Sequence, residues 1–186
     1  MMRTFIALTL PELLKDRMLE VSGALSKTDA KIKWVERSQM HLTVKFCGDV
    51  EQAQADLLAA AVRDEATHWQ HPLRLAVGGL GAFPNKRNPR VLWIGVRENI
   101  GLSSMAERIE RAAVAAGIEP EQRTFSAHLT LGRVKFIDRH DPLPKRLKAM
   151  DVETYHYDIT ELALIRSQLT PQGPVYTPLE QVKLGG

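Results

Sequence analysis

Two short runs in this chain pair an imidazole with a hydroxyl, His41-Leu42-Thr43-Val44 and His128-Leu129-Thr130-Leu131. Both alternate polar and apolar residues, the pattern of a strand with one buried face. On such a strand His41 and Thr43 point to one side and Leu42, Val44 and Phe46 to the other. His128 and Thr130 likewise stand opposite Leu129 and Leu131. With six histidines and eleven threonines in 186 residues, chance supplies only about 0.4 His-x-Thr triplets. Two of them, identical at leucine and each inside a strand-like run, point to one device used twice.

The chemistry such a device suits is in-line displacement at phosphorus. Histidine titrates near neutrality, so a pair of imidazoles offers one neutral base and one protonated acid at the same pH. One takes the proton of an attacking water while the other, on the far side, protonates the departing oxygen. A threonine two residues along the same face can donate a hydrogen bond to a non-bridging phosphate oxygen. No metal is needed. A zinc site is the weaker reading, because His-x-Thr is not the helical His-Glu-x-x-His arrangement and no acidic or cysteine ligand accompanies it. His68 and His71 read as capping residues at a helix end, and His140 and His156 have no evident partner. The single cysteine, Cys47, reads as buried packing.

The elements that must position these residues follow from periodicity. Residues 3–8 read as a strand. Thr9 with Glu12 resembles a capping box that starts a helix running to about Leu25, with Leu13, Leu14, Met18, Val21 and Leu25 at helical spacing. A short strand at 31–35 and a polar turn at 36–39 lead to the first histidine strand, which stops near Gly48. Asp49 with Gln52 opens a second helix towards Trp69, and 73–77 is a strand. Gly78-Gly79-Leu80-Gly81 reads as a loop, with a second, basic loop from Pro84 to Pro89 and a strand at 91–96. The glycines lack the spacing of a phosphate-cradling loop. Ser104 with Glu107 starts a third helix ending at Gly117, and 125–134 carries the second histidine strand. Residues 139–148 read as a surface loop with one helical turn. Strands at 152–157, 161–167 and 175–184 follow, between turns at Asp158 and Pro171–Pro174. The expectation is an α+β fold with antiparallel sheet, bilobal, its two pseudo-symmetric lobes carrying outer helices and facing each other across a central cleft. Residues 1–186 are read as a single domain.

Composition agrees with a globular chain. The 44% hydrophobic and 25% charged content is ordinary, and no apolar run approaches the roughly 20 residues that span a bilayer. The apolar start at 5–10 is too short for a signal peptide, and a lone cysteine fits a reducing compartment, so a cytoplasmic location is expected. A formal net charge of +3 permits an anionic ligand without demanding one.

Beyond the two HxTx motifs the chain carries Arg3-Thr4-Phe5-Ile6-Ala7, Trp34 leading to Met40 and on to Lys45-Phe46-Cys47-Gly48, Phe83-Pro84, Pro89-Arg90-Val91-Leu92-Trp93, Phe125, Gly132-Arg133, Ser167-x-Leu169, Gly173 and Tyr176. Together these resemble the two-histidine (2H) phosphoesterase superfamily, specifically the LigT-like RNA 2',3'-cyclic phosphodiesterases, also called 2'-5' RNA ligases. The resemblance implies a hydrolase that opens a 2',3'-cyclic phosphate at an RNA end to a 2'-phosphate without metal or cofactor. It implies His41 as proton donor to the leaving 3' oxygen, His128 as proton acceptor from water, and Thr43, Thr130 and Arg133 as phosphate ligands. Some relatives join RNA ends, including tRNA halves, by the reverse 2'-5' linkage. Ala127, where the family usually has proline, and Cys47, where it has an aliphatic residue, are departures outside the chemistry.

Arg133 raises a geometric demand. Five residues beyond His128, it falls on the opposite face of an ideal strand, and a bulge or strand end at Gly132 is needed to turn it back. Phe5, Phe83 and Tyr176 are candidates to stack on the terminal base, with core packing as the alternative. Lys86, Arg87 and Arg90 are candidates to steer the RNA backbone. RNA with cyclic-phosphate ends is the expected partner of a monomer. Another cyclic or 2'-5' phosphodiester, such as an ADP-ribose cyclic phosphate or a 2'-5' oligoadenylate, and a non-catalytic RNA-end binding module are the competing readings.

Overall fold

The computed structural model describes residues 1–97, 99–171 and 173–185, so that Gln172 of the expected Pro171–Pro174 turn lies outside the described residues. In chain order the elements are β1 (Met2–Thr9), α1 (Glu12–Leu25), β2 (Lys31–Trp34), a 3-10 turn (Arg37–Gln39), β3 (His41–Val50), α2 (Gln52–Ala66), β4 (Leu73–Pro84), β5 (Pro89–Val96), α3 (Ile100–Ala115), β6 (His128–Phe136), α4 (Leu143–Ala149), β7 (Tyr155–Ile159), β8 (Glu161–Thr170) and β9 (Gly173–Lys183). They form two antiparallel sheets with strand orders β3-β1-β8-β9 and β2-β6-β5-β4-β7. The α+β expectation holds, and each sheet contains one histidine strand.

The chain weaves between the two lobes. Strand β1 belongs to the first sheet, yet α1 packs beside β6 and α4 of the second, while α3, which follows β5 of the second sheet, packs on β3 and α2. Each histidine strand is therefore followed by a return to its own lobe but preceded by a crossing from the other. Its alternate side chains, Leu42 and Val44 in β3 and Leu129 and Leu131 in β6, enter the core with Ile6, Leu8, Leu92 and Ile94. Burying each such aliphatic side chain contributes about 1.5–3 kcal/mol. Among the described residues no helix is long and apolar enough to cross a membrane.

Two charged clusters hold the helices to this frame. The buried Glu65 of α2 accepts from Arg108 Nε at 2.8 Å and Nη2 at 2.6 Å of α3, and from Trp69 Nε1 at 2.9 Å. Lys45 of β3, only 4% exposed, donates to Glu110 of α3 at 2.8 Å and to the Glu119 carbonyl at 3.1 Å. Glu110 also accepts the Glu121 amide at 2.8 Å. The segment that leaves α3 for β6 is thereby tied to the first histidine strand.

Several local expectations are corrected. Helix α1 starts after Pro11 with no side-chain cap, since Thr9 is still paired in β1. Asp49 likewise remains in β3, and the capping box of α2 is Glu51 with Gln54. Asn99, not Ser104, caps α3, accepting from the Leu102 amide at 3.0 Å. Residues 143–149 form a helix because Leu143 and Leu147 reach the core. Strand β4 runs straight through Gly78–Gly81. There a bulge with Gly79 at φ 73° replaces the expected loop. A side chain on Gly78 would strike the Thr154 backbone, and one on Gly81 would lie 2.1 Å from the Trp93 ring.

Gly81→Ala is expected to lower stability by about 1–3 kcal/mol by driving Trp93 from its place. Gly23→Ala, in open space on α1, is expected to raise it by about 0.5–1 kcal/mol. Urea denaturation of both variants checks the pair, and equal effects would contradict the packing account.

Candidate active site

Each histidine strand carries the same irregularity just beyond its threonine. In β6, Trp93 pairs with Thr130 and Leu92 with Gly132, leaving Leu131 without a partner. In β3, Ala7 pairs with Thr43 and Ile6 with Lys45, leaving Val44 without one. An extra residue shifts the alternation of faces. Leu131 and Gly132 are consequently both buried, as are Val44 and Lys45. Arg133 is thereby turned to the side of His128 and Thr130, as the family resemblance requires. The unpaired residue is Leu131 rather than Gly132. Gly132 instead admits the neighbouring strand, whose Ile32 and Trp34 side chains would lie 2.9 Å from a Cβ placed there.

The same shift corrects the reading of Phe46. An ideal strand buries it with Val44, whereas it is 48% exposed and faces the cleft. It occupies in β3 the place that Arg133 occupies in β6.

The imidazoles are held alike. His41 Nδ1 lies 2.7 Å from the Gln39 carbonyl and His128 Nδ1 lies 2.8 Å from the Ser126 carbonyl, each two residues upstream. A carbonyl only accepts, so Nδ1 carries the proton and Nε2 is left for chemistry. Aromatic rings support both. Phe5 and Tyr176 stand 4.7 and 5.4 Å from His41 between ring centres, and Phe83 and Trp93 stand 5.0 and 6.4 Å from His128. His41 Nε2 lies 3.0 Å from Thr43 Oγ1, the hydroxyl holding the direction a phosphate oxygen would take. Burial holds the pKa of His41 below its ordinary value, against the Gln39 carbonyl, which favours the charged ring.

His41, Thr43, His128, Thr130 and Arg133 line one cavity of about 530 Å³, together with Phe5 and Tyr176. Phe5 is 4% exposed and packs beneath His41, so it supports the imidazole rather than offering a face to a base. Phe83 lines an adjoining cavity of about 910 Å³ that shares Thr43, Phe46 and His128. Lys86, Arg87 and Arg90 line neither cavity. Arg3, Lys33, Phe46 and Lys135, none of them a site candidate from the sequence, also stand on the wall of the smaller cavity. Aligning the two histidine strands residue by residue would have set Phe46 against Arg133. The alternation of Lys31-Ile32-Lys33-Trp34 would have shown Lys33 on an exposed face.

Outside the cleft, His68 Nδ1 meets the Asp64 carbonyl at 3.1 Å near the end of α2. Cys47 is buried, and that burial pushes its thiol up to about 11. Among the described residues no three His, Cys, Asp or Glu side chains gather as a metal-sized group.

Comparison with known proteins agrees with the duplicated strands. A family model described as LigT like phosphoesterase matches the chain twice, over residues 8–93 and 94–176, so that each match contains one His-x-Thr pair. The RNA 2',3'-cyclic phosphodiesterase of Methanothermobacter thermautotrophicus is 36% identical over 183 residues, 98% of either chain. That of Aquifex aeolicus is 38% identical over 90% of this chain and 91% of its own. A solved structure of a Thermus thermophilus protein is similar with a TM-score of 0.84 and 28% identity, covering 100% of this chain and 99% of the other. With one His-x-Thr strand in each half of a doubled match, and relatives alike from end to end, the chain belongs to the LigT-like branch of the two-histidine phosphoesterases, the RNA 2',3'-cyclic phosphodiesterase family.

Proposed function

We propose that this protein hydrolyses the 2',3'-cyclic phosphate at an RNA end to a 2'-phosphate, by acid and base catalysis from two histidines and without a metal. The observation that carries the reading is the meeting of both His-x-Thr strands in one cavity, each with Nδ1 engaged by a backbone carbonyl. His128 Nε2 takes the proton of an attacking water. The new oxygen–phosphorus bond forms as the bond to O3' breaks, and His41 Nε2 delivers its proton to O3'. Thr43, Thr130 and Arg133 hold the non-bridging oxygens and stabilise the charge that gathers on them. With a ribose 5'-hydroxyl in place of water, the same steps make a 2'-5' diester. Of the three candidate rings, Tyr176 and the exposed Phe83 keep surface for a base.

The two histidines start from different environments. His41 must be protonated to act as acid, yet burial lowers its pKa. A bound phosphate anion opposes that effect, because a nearby negative charge favours the imidazolium. Substrate binding thus charges the acid in place.

Turnover of a cyclic-phosphate-ended oligoribonucleotide is expected to leave the phosphate on the 2' oxygen and to persist in excess chelator. Either His41→Ala or His128→Ala should lower kcat by about 10²–10⁴-fold. A 3'-phosphate product, or activity lost to chelator and restored by metal, would refute the scheme.

An NMR titration should find His41 in the free protein half-protonated at a pH below the ordinary value of about 6.5. Addition of a 2'-phosphate-ended oligonucleotide should move that midpoint upward. A midpoint indifferent to the ligand would contradict substrate-induced charging of the acid.

A further inference from the structure

Among the described residues, the cavity that holds both histidines has four further cations on its wall, Arg3, Lys33, Arg133 and Lys135, and no carboxylate. None of the four is paired with a carboxylate among the described residues. The adjoining cavity differs, its wall carrying Glu107, Glu110 and Glu121 beside its cations. A cyclic phosphodiester brings a single negative charge, which Arg133 alone can balance. Arg3 is engaged over the Phe46 ring at 5.0 Å. Two lysines remain.

Their placement is unfavourable for the empty fold. Lys33 on β2 stands directly opposite Arg133 on β6, and like charges facing each other across a strand pair repel. Lys135 lies two residues beyond Arg133, on the same exposed face and about 6.6 Å along the strand. A register shift leaves Lys135 without a partner on β2. Three positive groups are thus gathered on one rim of the cleft, and an anion among them removes the repulsion. The rim leads outward: the Lys33 ammonium reaches the hairpin between β8 and β9, 3.7 Å from where a Gly173 Cβ would stand.

We propose that Lys33 and Lys135 form a second phosphate subsite, which takes the phosphodiester on the 5' side of the terminal nucleotide. The inference rests on the phosphodiesterase reading and narrows it. The preferred substrate is the end of an RNA chain rather than a nucleoside 2',3'-cyclic phosphate, and the lysines discriminate between them.

The test compares kcat/KM for a cyclic-phosphate-ended tetraribonucleotide with that for a nucleoside 2',3'-cyclic phosphate across a range of NaCl. The wild-type protein should favour the tetranucleotide by at least about tenfold at low salt. Its log–log salt dependence should be steeper by about 0.7, the effect of one added contact to single-stranded phosphate. In the Lys33→Gln/Lys135→Gln double variant both differences should vanish, whereas Lys33→Arg should retain them. A melting temperature of Lys33→Gln at or above that of the wild type accompanies relief of the repulsion and excludes loss of fold. Equal use of the two substrates by the wild type, or a double variant that keeps the preference, would overturn the subsite alone. Failure of the wild type to turn over either substrate would overturn the phosphodiesterase reading, and the subsite with it.

Discussion

A pleated strand sends alternate side chains to opposite faces, so residues an odd number of positions apart cannot share a face unless the ladder gains a residue. His128 and Arg133 are separated in just that way, and so are His41 and Phe46. The unpaired Leu131 and Val44 resolve the conflict in both sheets. Without those two residues the cleft would keep its histidines and threonines but lose Arg133 to the core side. The buried Lys45 and Gly132 are the local consequence: one ties its strand to α3, and the other lets β2 lie close.

Around that backbone device the two lobes treat their imidazoles alike. Each Nδ1 bonds to a carbonyl two residues upstream, and each ring rests on two aromatic neighbours. The symmetry stops at the charge. Burial lowers the pKa of His41, while cations crowd the β2–β6 rim of the second lobe. That lowering opposes the protonation an acid needs, and in the proposed mechanism the negative charge of a bound phosphate offsets it.

Much of this was legible in the chain itself. The alternation in His41–Val44 and His128–Leu131 set the faces correctly as far as the threonines. Beyond them it failed at Phe46, because a bulge leaves no local signature in residue type. Arg133 was aimed correctly only through the family resemblance. The glycines of β4 misled for a related reason: they serve the close approach of Thr154 and Trp93, contacts distant in sequence, rather than a turn. The weave of helices between lobes was equally out of reach, since α1 and α3 show which face is apolar but not which sheet receives it. The lysine cluster was missed because Lys33 and Lys135 become neighbours only when β2 pairs with β6.

The proposed mechanism places His41 and His128 on opposite sides of a single phosphorus atom. A crystal structure with a pentavalent nucleoside vanadate in the cleft tests it most directly. In-line transfer between them requires the two Nε2 atoms to lie about 2.6–3.2 Å from opposite apical oxygens, with Thr43, Thr130 and Arg133 on the equatorial ones. Both imidazoles on one side of the vanadium, or either one out of reach of an apical oxygen, would contradict it.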